Sequence, residues 1–171
     1  MEPAELQEVL QFLHETSNTI YELIDGLPDS DLRWRNSYDQ FSLLENICHL
    51  RDIEAEAYAI RINRILEESN PFLPDLDGTR LATERRYNSL NADAALHSFT
   101  ASRAENLRKL EGAAAGQLER EGTLEGVGKL TLGRLAEMMR EHDEAHIEDL
   151  RVMRQQLKPG KAKDLHSRHP A

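Results

Sequence analysis

Apolar residues recur every three or four positions along four long segments of the chain, and this spacing constrains the fold more than any other feature. Each segment predicts an amphipathic helix with one apolar face. The predicted helices run from about Pro3 to Asp25, Ser42 to Glu68, Asn91 or Asp93 to Leu110, and Thr131 to Leu157. Because such helices bury their apolar faces against one another, we predict an all-α fold, a four-helix bundle with long crossover connections.

Local signals place the helix ends and the connections. Ser42 and Glu45 have the spacing of a capping box, which marks the start of the second helix. The connection before Asn91 mixes proline, glycine and charged residues, and we expect a short helix near Leu81 to Tyr87. Residues 123–130 predict either a modest hairpin or an irregular loop. We predict one domain over residues 1–157 and a disordered C-terminal tail over residues 158–171.

Charge and cysteine content exclude several classes of function. The 171 residues include 31 acidic and 21 basic side chains, a formal net charge of -10 that repels phosphate backbones and anionic membranes. We therefore expect neither a nucleic acid nor a membrane as partner. Cys48 is the only cysteine, so an intramolecular disulfide is impossible and a cytoplasmic location is expected. The N-terminal residues show no signal-peptide pattern, and no apolar run has the length of a membrane span.

Two histidines, His142 and His146, interrupt the apolar stripe of the last predicted helix. Their i and i+4 spacing places both imidazoles on one face, one turn apart, with Cβ atoms roughly 5–6 Å from each other. That geometry suits shared binding of one metal ion. Nearby carboxylates are available as further ligands or as acceptors for imidazole N–H groups. The same spacing also occurs where histidines are simply hydrogen-bonded in a core or exposed to water.

A third histidine, His49, lies on the second predicted helix. Three imidazoles with an open coordination position suit a catalytic transition-metal site. His49 lies off the strongest apolar stripe and shares a polar face with Glu45 and Asp52, which is either solvated or lines a cleft. In a cleft, Glu45 and Asp52 are candidate catalytic or orienting residues. Cys48 points about 100° away from His49 on a helix and is predicted to be a buried apolar residue, not a ligand.

Arg103 interrupts the apolar stripe of the third predicted helix. A buried guanidinium without a partner is costly, so Arg103 must meet a carboxylate, reach solvent or face a cavity. In a cavity shared with the histidines it would hold an anionic substrate group, which makes it a third candidate catalytic residue. Trp34 and Tyr38 either cover one end of that cavity or pack at the helix entry.

The order and spacing of four segments resemble the DinB/YfiT-like superfamily. These segments are Trp34, residues 42–54, Phe99 to Arg103 and residues 142–146, and the resemblance extends to about Leu157. It implies a four-helix bundle with a three-histidine site for a divalent metal ion. The family's motif positions fall on His49, His142 and His146.

The resemblance also implies a range of activities. It implies a metal-dependent thiol S-transferase or a hydrolase acting on a small-molecule substrate. The implied cofactor is a divalent metal ion, zinc or nickel before iron, and transferase chemistry adds a low-molecular-weight thiol as cosubstrate. The alternative is a non-catalytic bundle that binds a ligand or a partner. Because the second helix carries apolar residues on more than one face, we also expect a homodimer.

Overall fold

The computed structural model describes residues 2–157, which fold mainly into helices. The long helices are α1 (Pro3–Ile24), α3 (Leu43–Asp52), α4 (Ala59–Glu67), α6 (Ala92–Glu111) and α8 (Leu132–Gln156), and a π-helical turn (Ile53–Tyr58) joins α3 to α4. Shorter elements are α2 (Asp29–Leu32), β1 (Phe72–Leu73), α5 (Gly78–Glu84), a 3₁₀ turn (Tyr87–Ser89), α7 (Ala115–Leu118), β2 (Glu121–Leu124) and β3 (Gly128–Thr131). The predicted tail, residues 158–171, lies outside the described residues, and the domain boundary at residue 157 stays a prediction.

Side-chain caps start three of the long helices where the sequence predicts them. At the start of α3, the Glu45 N–H donates to Ser42 Oγ over 3.1 Å and the Ser42 N–H donates to Glu45 Oε2 over 2.8 Å. Asn91 caps α6 and Thr131 caps α8: the side chain of each accepts a hydrogen bond from a backbone N–H of the first turn. These contacts satisfy amides that have no partner inside the helix.

The long helices form the predicted four-helix bundle. Helix α1 packs mainly against α8 and α6, and α3 packs mainly against the same two helices. Therefore α1 and α3, which are consecutive long helices, lie diagonally across the bundle, and long connections are needed to join the helices. None of the helices within residues 2–157 is long and apolar enough to cross a membrane.

A small three-stranded sheet pairs the connection between α4 and α5 with the connection that precedes α8. Strands β2 and β3 pair antiparallel, which confirms the hairpin among the two alternatives for residues 123–130. Strand β1 adds to β2 in parallel, with Phe72 opposite Thr123. The sequence did not predict β1, because a strand of two residues has no detectable periodicity.

A buried polar layer divides the core of the bundle into two apolar parts. One part contains Leu6–Leu13 of α1 and Leu132–Met139 of α8, and the other contains Ile20 and Ile24 of α1 with Leu150 and Met153 of α8. The layer between them consists of Thr16, Glu54, Arg103, Asn106 and Asp143, all buried. Buried polar groups are tolerated when they are hydrogen-bonded to one another, and these side chains lie on helices that face each other.

Candidate metal centre

Three histidine side chains converge between α3 and α8. The ring centroids of His142 and His146 are 4.6 Å apart, and the ring of His49 lies 4.7 Å from that of His146 and 5.3 Å from that of His142. One ring nitrogen of each residue lies within 4.8 Å of the others. The Nε2 atoms of His49 and His142 are 3.1 Å apart. Two nitrogens on a tetrahedral zinc ion are separated by roughly 3.4 Å, so this spacing suits shared ligation.

Burial keeps two of these imidazoles uncharged. Removal from water, with a further effect from the neighbouring His142, lowers the pKa of His49 to about 4. The same two causes, with an added contribution from His49, lower the pKa of His146 to about 3. Both rings are therefore neutral near pH 7. The neutral imidazole is the form that binds a metal ion.

Asn46 fixes the orientation of His146. His146 Nδ1 lies 2.8 Å from Asn46 Oδ1, while the Asn46 side-chain amide donates to the carbonyl oxygen of Ser42 over 3.0 Å. Because that donation assigns the oxygen of Asn46 to the histidine side, His146 Nδ1 carries the proton and donates it. The lone pair of His146 Nε2 is left free for an ion, and such an outer hydrogen bond is typical of metal-binding histidines.

The remaining ring nitrogens test whether the site fits a metal ion. Among the residues that the structure describes, neither His49 Nδ1 nor His142 Nδ1 has a hydrogen-bond partner, although both are buried. His142 Nδ1 lies 3.9 Å from the Asp143 carboxylate, beyond hydrogen-bond distance. The Nε2 atoms of His49 and His142 face each other at 3.1 Å, a spacing at which both can bind one cation. The donor set and its spacing therefore fit a divalent transition-metal ion.

Phe41 and Gly78 enclose His49. The Phe41 ring lies 5.7 Å from the His49 ring, and Gly78, the first residue of α5, packs directly against the imidazole. A Cβ atom at position 78 would lie 2.4 Å from His49 Cε1, closer than any ordinary carbon contact. Only glycine at position 78 therefore leaves the imidazole where it is.

Replacing Gly78 with alanine is expected to displace the His49 ring and weaken metal binding about 10–100-fold, as loss of a supporting contact does at other metal sites. The Gly116→Ala variant is the matched control, because a Cβ at position 116 of α7 meets nothing within 4 Å. Competition with a metal-binding dye measures both affinities. Equal affinity of Gly78→Ala and the wild type would show that His49 tolerates displacement or does not bind the ion.

A cleft of about 390 Å³, here the histidine cleft, reaches the three-histidine group at His146. Its lining includes Phe41, Asn46, Thr79, His146, Asp149 and Met153. A second cleft of about 670 Å³, here the arginine cleft, is lined by Arg35, Tyr38 and Arg86 and shares Phe41 and Thr79 with the first. Tyr38 is 95% exposed at its edge, whereas Trp34 lines neither cleft. Of the two aromatic residues considered as a cover, only Tyr38 lines one of these two clefts.

Residues 12–150 match the sequence model of the DinB superfamily. The chain belongs to the DinB superfamily. Among solved structures, its fold is similar to that of YfiT from Bacillus subtilis, with a TM-score of 0.84 and 16% sequence identity over 91% of this chain and 89% of that chain. YfiT is described as a probable metal-dependent hydrolase with an unusual four-helix bundle topology. No protein with a curated description is significantly similar in sequence.

In this DinB-superfamily chain, the two candidate catalytic carboxylates from the sequence are held by other side chains. Glu45 accepts two hydrogen bonds from the guanidinium of Arg35 and one from the Ser42 amide. Asp52 accepts from three side chains, namely those of Arg51, Arg85 and Tyr87. Among the described contacts, neither carboxylate hydrogen-bonds to an imidazole. Their catalytic roles stay predictions, and both carboxylates also tie the connections 29–41 and 78–89 to α3.

Arg103, the third candidate, lies in the buried polar layer. Its guanidinium donates to Asp143 over 2.6 Å and to Glu54 over 2.8 Å, and Asn106 donates to Glu54 over 2.7 Å. Of the three outcomes considered for Arg103, pairing with carboxylates is therefore the one observed. Burial is the largest single effect on Asp143 and disfavours its charged form, but the charge and hydrogen bonds of Arg103, together with the effect of His142, hold the pKa of Asp143 below its usual value. Because Asp143 follows His142 directly, this network also anchors the histidine-bearing turn of α8.

Cys48 is buried, as predicted. Its side chain is wholly inaccessible to solvent, and Sγ lies 3.9 Å from the carbonyl oxygen of Tyr87. Burial raises the pKa of the thiol to about 11. Cys48 is therefore a protonated apolar residue behind the site and not a metal ligand.

Sequence reasoning missed four residues of the site: Phe41, Asn46, Gly78 and Asp149. Asn46 carried one usable signal, since an asparagine inside a helix needs a partner for its amide and lies one turn before His49. The others come from a connection or from an acidic helix face. The proximity of Phe41 and Gly78 to the histidines depends on how the long connections wrap around α3, which periodicity does not describe.

Proposed function

We propose that this chain is a metal-dependent hydrolase that acts on a small molecule in the histidine cleft. The observation that carries the proposal is the convergence of three imidazoles from two helices beside an open cleft that His146 lines. His49, His142 and His146 would hold the ion. Catalytic zinc sites use three protein ligands and keep a further position for water or substrate. When bound, a divalent ion supplies the Lewis acidity that hydrolysis requires.

The ligand chemistry supports zinc or nickel, with iron as a second possibility, because imidazole binds all three. No carboxylate lies among the three convergent groups, which disfavours magnesium and calcium, since both prefer oxygen ligands. The neutral state of His49 and His146 near pH 7 means that no proton has to leave these two rings when an ion binds.

Asp149 is the residue that we propose to transfer a proton during hydrolysis. It lies one turn after His146 on α8 and lines the same cleft. Among the described residues, no donor or cation engages its carboxylate, and partial burial together with the charge of Glu148 raises its pKa. A carboxylate with a raised pKa beside a substrate cleft is suited to accept a proton from water and to return it to a leaving group.

The similarity of fold to YfiT, which is described as a probable metal-dependent hydrolase, supports hydrolysis as the reaction class. Thiol S-transfer is the alternative that the family resemblance also implies, and it would use the same three histidines with a low-molecular-weight thiol. A non-catalytic binding role is the remaining alternative. The three are distinguished by one set of assays.

The test uses protein purified without a histidine tag and loaded with zinc, with nickel or with neither. Each form is assayed against model esters and amides, and against model electrophiles with and without added thiols. We expect hydrolysis that depends on the metal and disappears in His146→Ala. Turnover only in the presence of a thiol would replace hydrolase with transferase, and silence in every arm would favour the binding role.

Replacing Asp149 with asparagine is expected to lower the rate of hydrolysis by about 10²–10⁴-fold, the usual contribution of a positioned acid or base, while metal content is unchanged. Glu148→Gln is the matched control, because it removes an equal charge from the neighbouring residue, which does not line the cleft. Turnover and elemental composition are measured on the same samples. If Asp149→Asn retains the wild-type rate, proton transfer by Asp149 is wrong.

A further inference from the structure

Among the described residues, the side chain of Arg86 has neither an ion-pair partner nor a hydrogen bond to a backbone carbonyl. Within residues 2–157, every other lysine and arginine side chain forms an ion pair or donates to a backbone carbonyl. The sequence holds 31 acidic residues against 21 basic ones, so carboxylates are in excess. In a chain with excess carboxylates, a guanidinium is expected to pair with one of them, so an unpaired arginine is unusual.

The backbone at Arg86 is also unusual. Its φ of 50° and ψ of 54° lie in the left-handed region, where glycine and asparagine are favoured and other side chains are strained. The conformation is held by Ser89, whose N–H and hydroxyl both donate to the Arg86 carbonyl oxygen over 2.8 Å. Residues kept in strained conformations are concentrated at binding and catalytic sites. An arginine at a backbone position that suits glycine therefore indicates a functional role for the arginine side chain.

Arg86 lines the arginine cleft, which borders the histidine cleft. The two clefts share Asp39, Gln40, Phe41 and Thr79, and the ring of Phe41 also contacts the imidazole of His49. The two clefts are therefore direct neighbours.

The other charged groups of the arginine cleft are already engaged. Arg35 is neutralised by Glu45, which accepts two of its N–H groups. Asp39 accepts a hydrogen bond from Ser37 over 2.7 Å. Among the described residues that line this cleft, Arg86 is thus the cation available to a ligand.

We propose that Arg86 forms an oxyanion subsite, and that the substrate of the histidine cleft carries a carboxylate or phosphate group that binds there. This inference rests on the proposed function for the identity of the molecule as a substrate, but anion binding itself does not depend on catalysis. A guanidinium presents parallel N–H groups that match two oxygens of a carboxylate or phosphate. The exposed ring of Tyr38 lines the same cleft and offers a surface for an apolar part of the molecule.

The test titrates the metal-free, full-length chain with benzoate and, separately, with inorganic phosphate, and follows backbone amide shifts by NMR. We expect saturable shifts at residues lining the arginine cleft, and at least tenfold weaker binding by Arg86→Gln. Arg80→Gln is the matched control, because Arg80 lies on α5, is paired with Glu84 and lines neither cleft. The anion that binds more tightly identifies the carboxylate or the phosphate as the group recognised.

Three results would overturn the subsite: no saturable shift with either anion, equal binding by Arg86→Gln and wild type, or an equal loss in Arg80→Gln. If Arg86→Gln does not fold, Arg86→Gly replaces it, because glycine suits the left-handed backbone at this position. Metal content is measured separately and is expected to stay at the wild-type value in each variant. A failed anion titration therefore leaves the hydrolase proposal standing, and failed hydrolysis leaves the anion result standing.

Discussion

Replacing His146 with alanine is expected to abolish stoichiometric metal binding while the bundle stays folded. Four-ligand structural zinc sites have apparent binding free energies of about 10–16 kcal/mol, or roughly 3 kcal/mol for each ligand. Loss of one of the three imidazoles therefore weakens binding on the order of 100-fold or more. The fold loses little, because the main structural consequence is that Asn46 Oδ1 no longer accepts a hydrogen bond, at a cost of about 1 kcal/mol.

Elemental analysis of untagged protein after exposure to zinc or nickel measures this effect, and circular dichroism checks the fold. His97→Ala is the control, because His97 is an exposed histidine on α6. We expect close to one ion per chain in the wild type and the control, and almost none in His146→Ala. Metal retained by His146→Ala, or absent from the wild type, would contradict the three-histidine site.

Replacing Arg103 with methionine is expected to reduce the free energy of unfolding by about 3–5 kcal/mol at pH 7, which is the usual effect of removing one partner of a buried ion pair. The variant leaves Glu54 and Asp143 buried without their cation. Denaturation in urea measures the difference from the wild type. Arg140→Met is the matched control, since its pair with Glu144 is exposed, and a change below about 1 kcal/mol is expected there.

The pH dependence of this difference identifies its cause. In the wild type, the pKa of Asp143 lies below its usual value, so its stabilising contribution is present above about pH 4 and is lost only as the pH falls further. Without the guanidinium, burial becomes the dominant effect on this carboxyl and raises its pKa, so the variant recovers stability as protons bind. The deficit of Arg103→Met should therefore shrink between pH 8 and pH 5. A deficit that is constant over this range would indicate lost packing and not uncompensated charge.

The four long helices could be predicted because the apolar spacing and the caps are local properties of the sequence. Ser42, Asn91 and Thr131 each satisfy an amide within their own first turn. The π-helical turn could not be predicted in this way. Asn106, on another helix, donates to the carbonyl oxygen of Glu54 within that turn, and such a contact between helices has no signature in the local sequence.

The histidine site was only partly predictable. The spacing of His142 and His146 places them together on any helix, whereas the polar face around His49 left it open whether that residue meets water or a cleft. The structure shows why periodicity does not decide this. Connections from both sides cover the polar face of α3, where Glu45 meets Arg35 and Asp52 meets Arg85. A helix covered in this way has no solvated side that its pattern could reveal.

The buried position of Cys48 allows its thiol to report local opening of the structure around α3. Only the thiolate reacts with an alkylating reagent, and the side chain is wholly inaccessible with its proton firmly held. Modification by iodoacetamide therefore requires α3 to separate transiently from the elements packed on it. Because the sequence contains one thiol, the rate at which the mass of the chain increases measures the rate at which the helix that carries His49 opens.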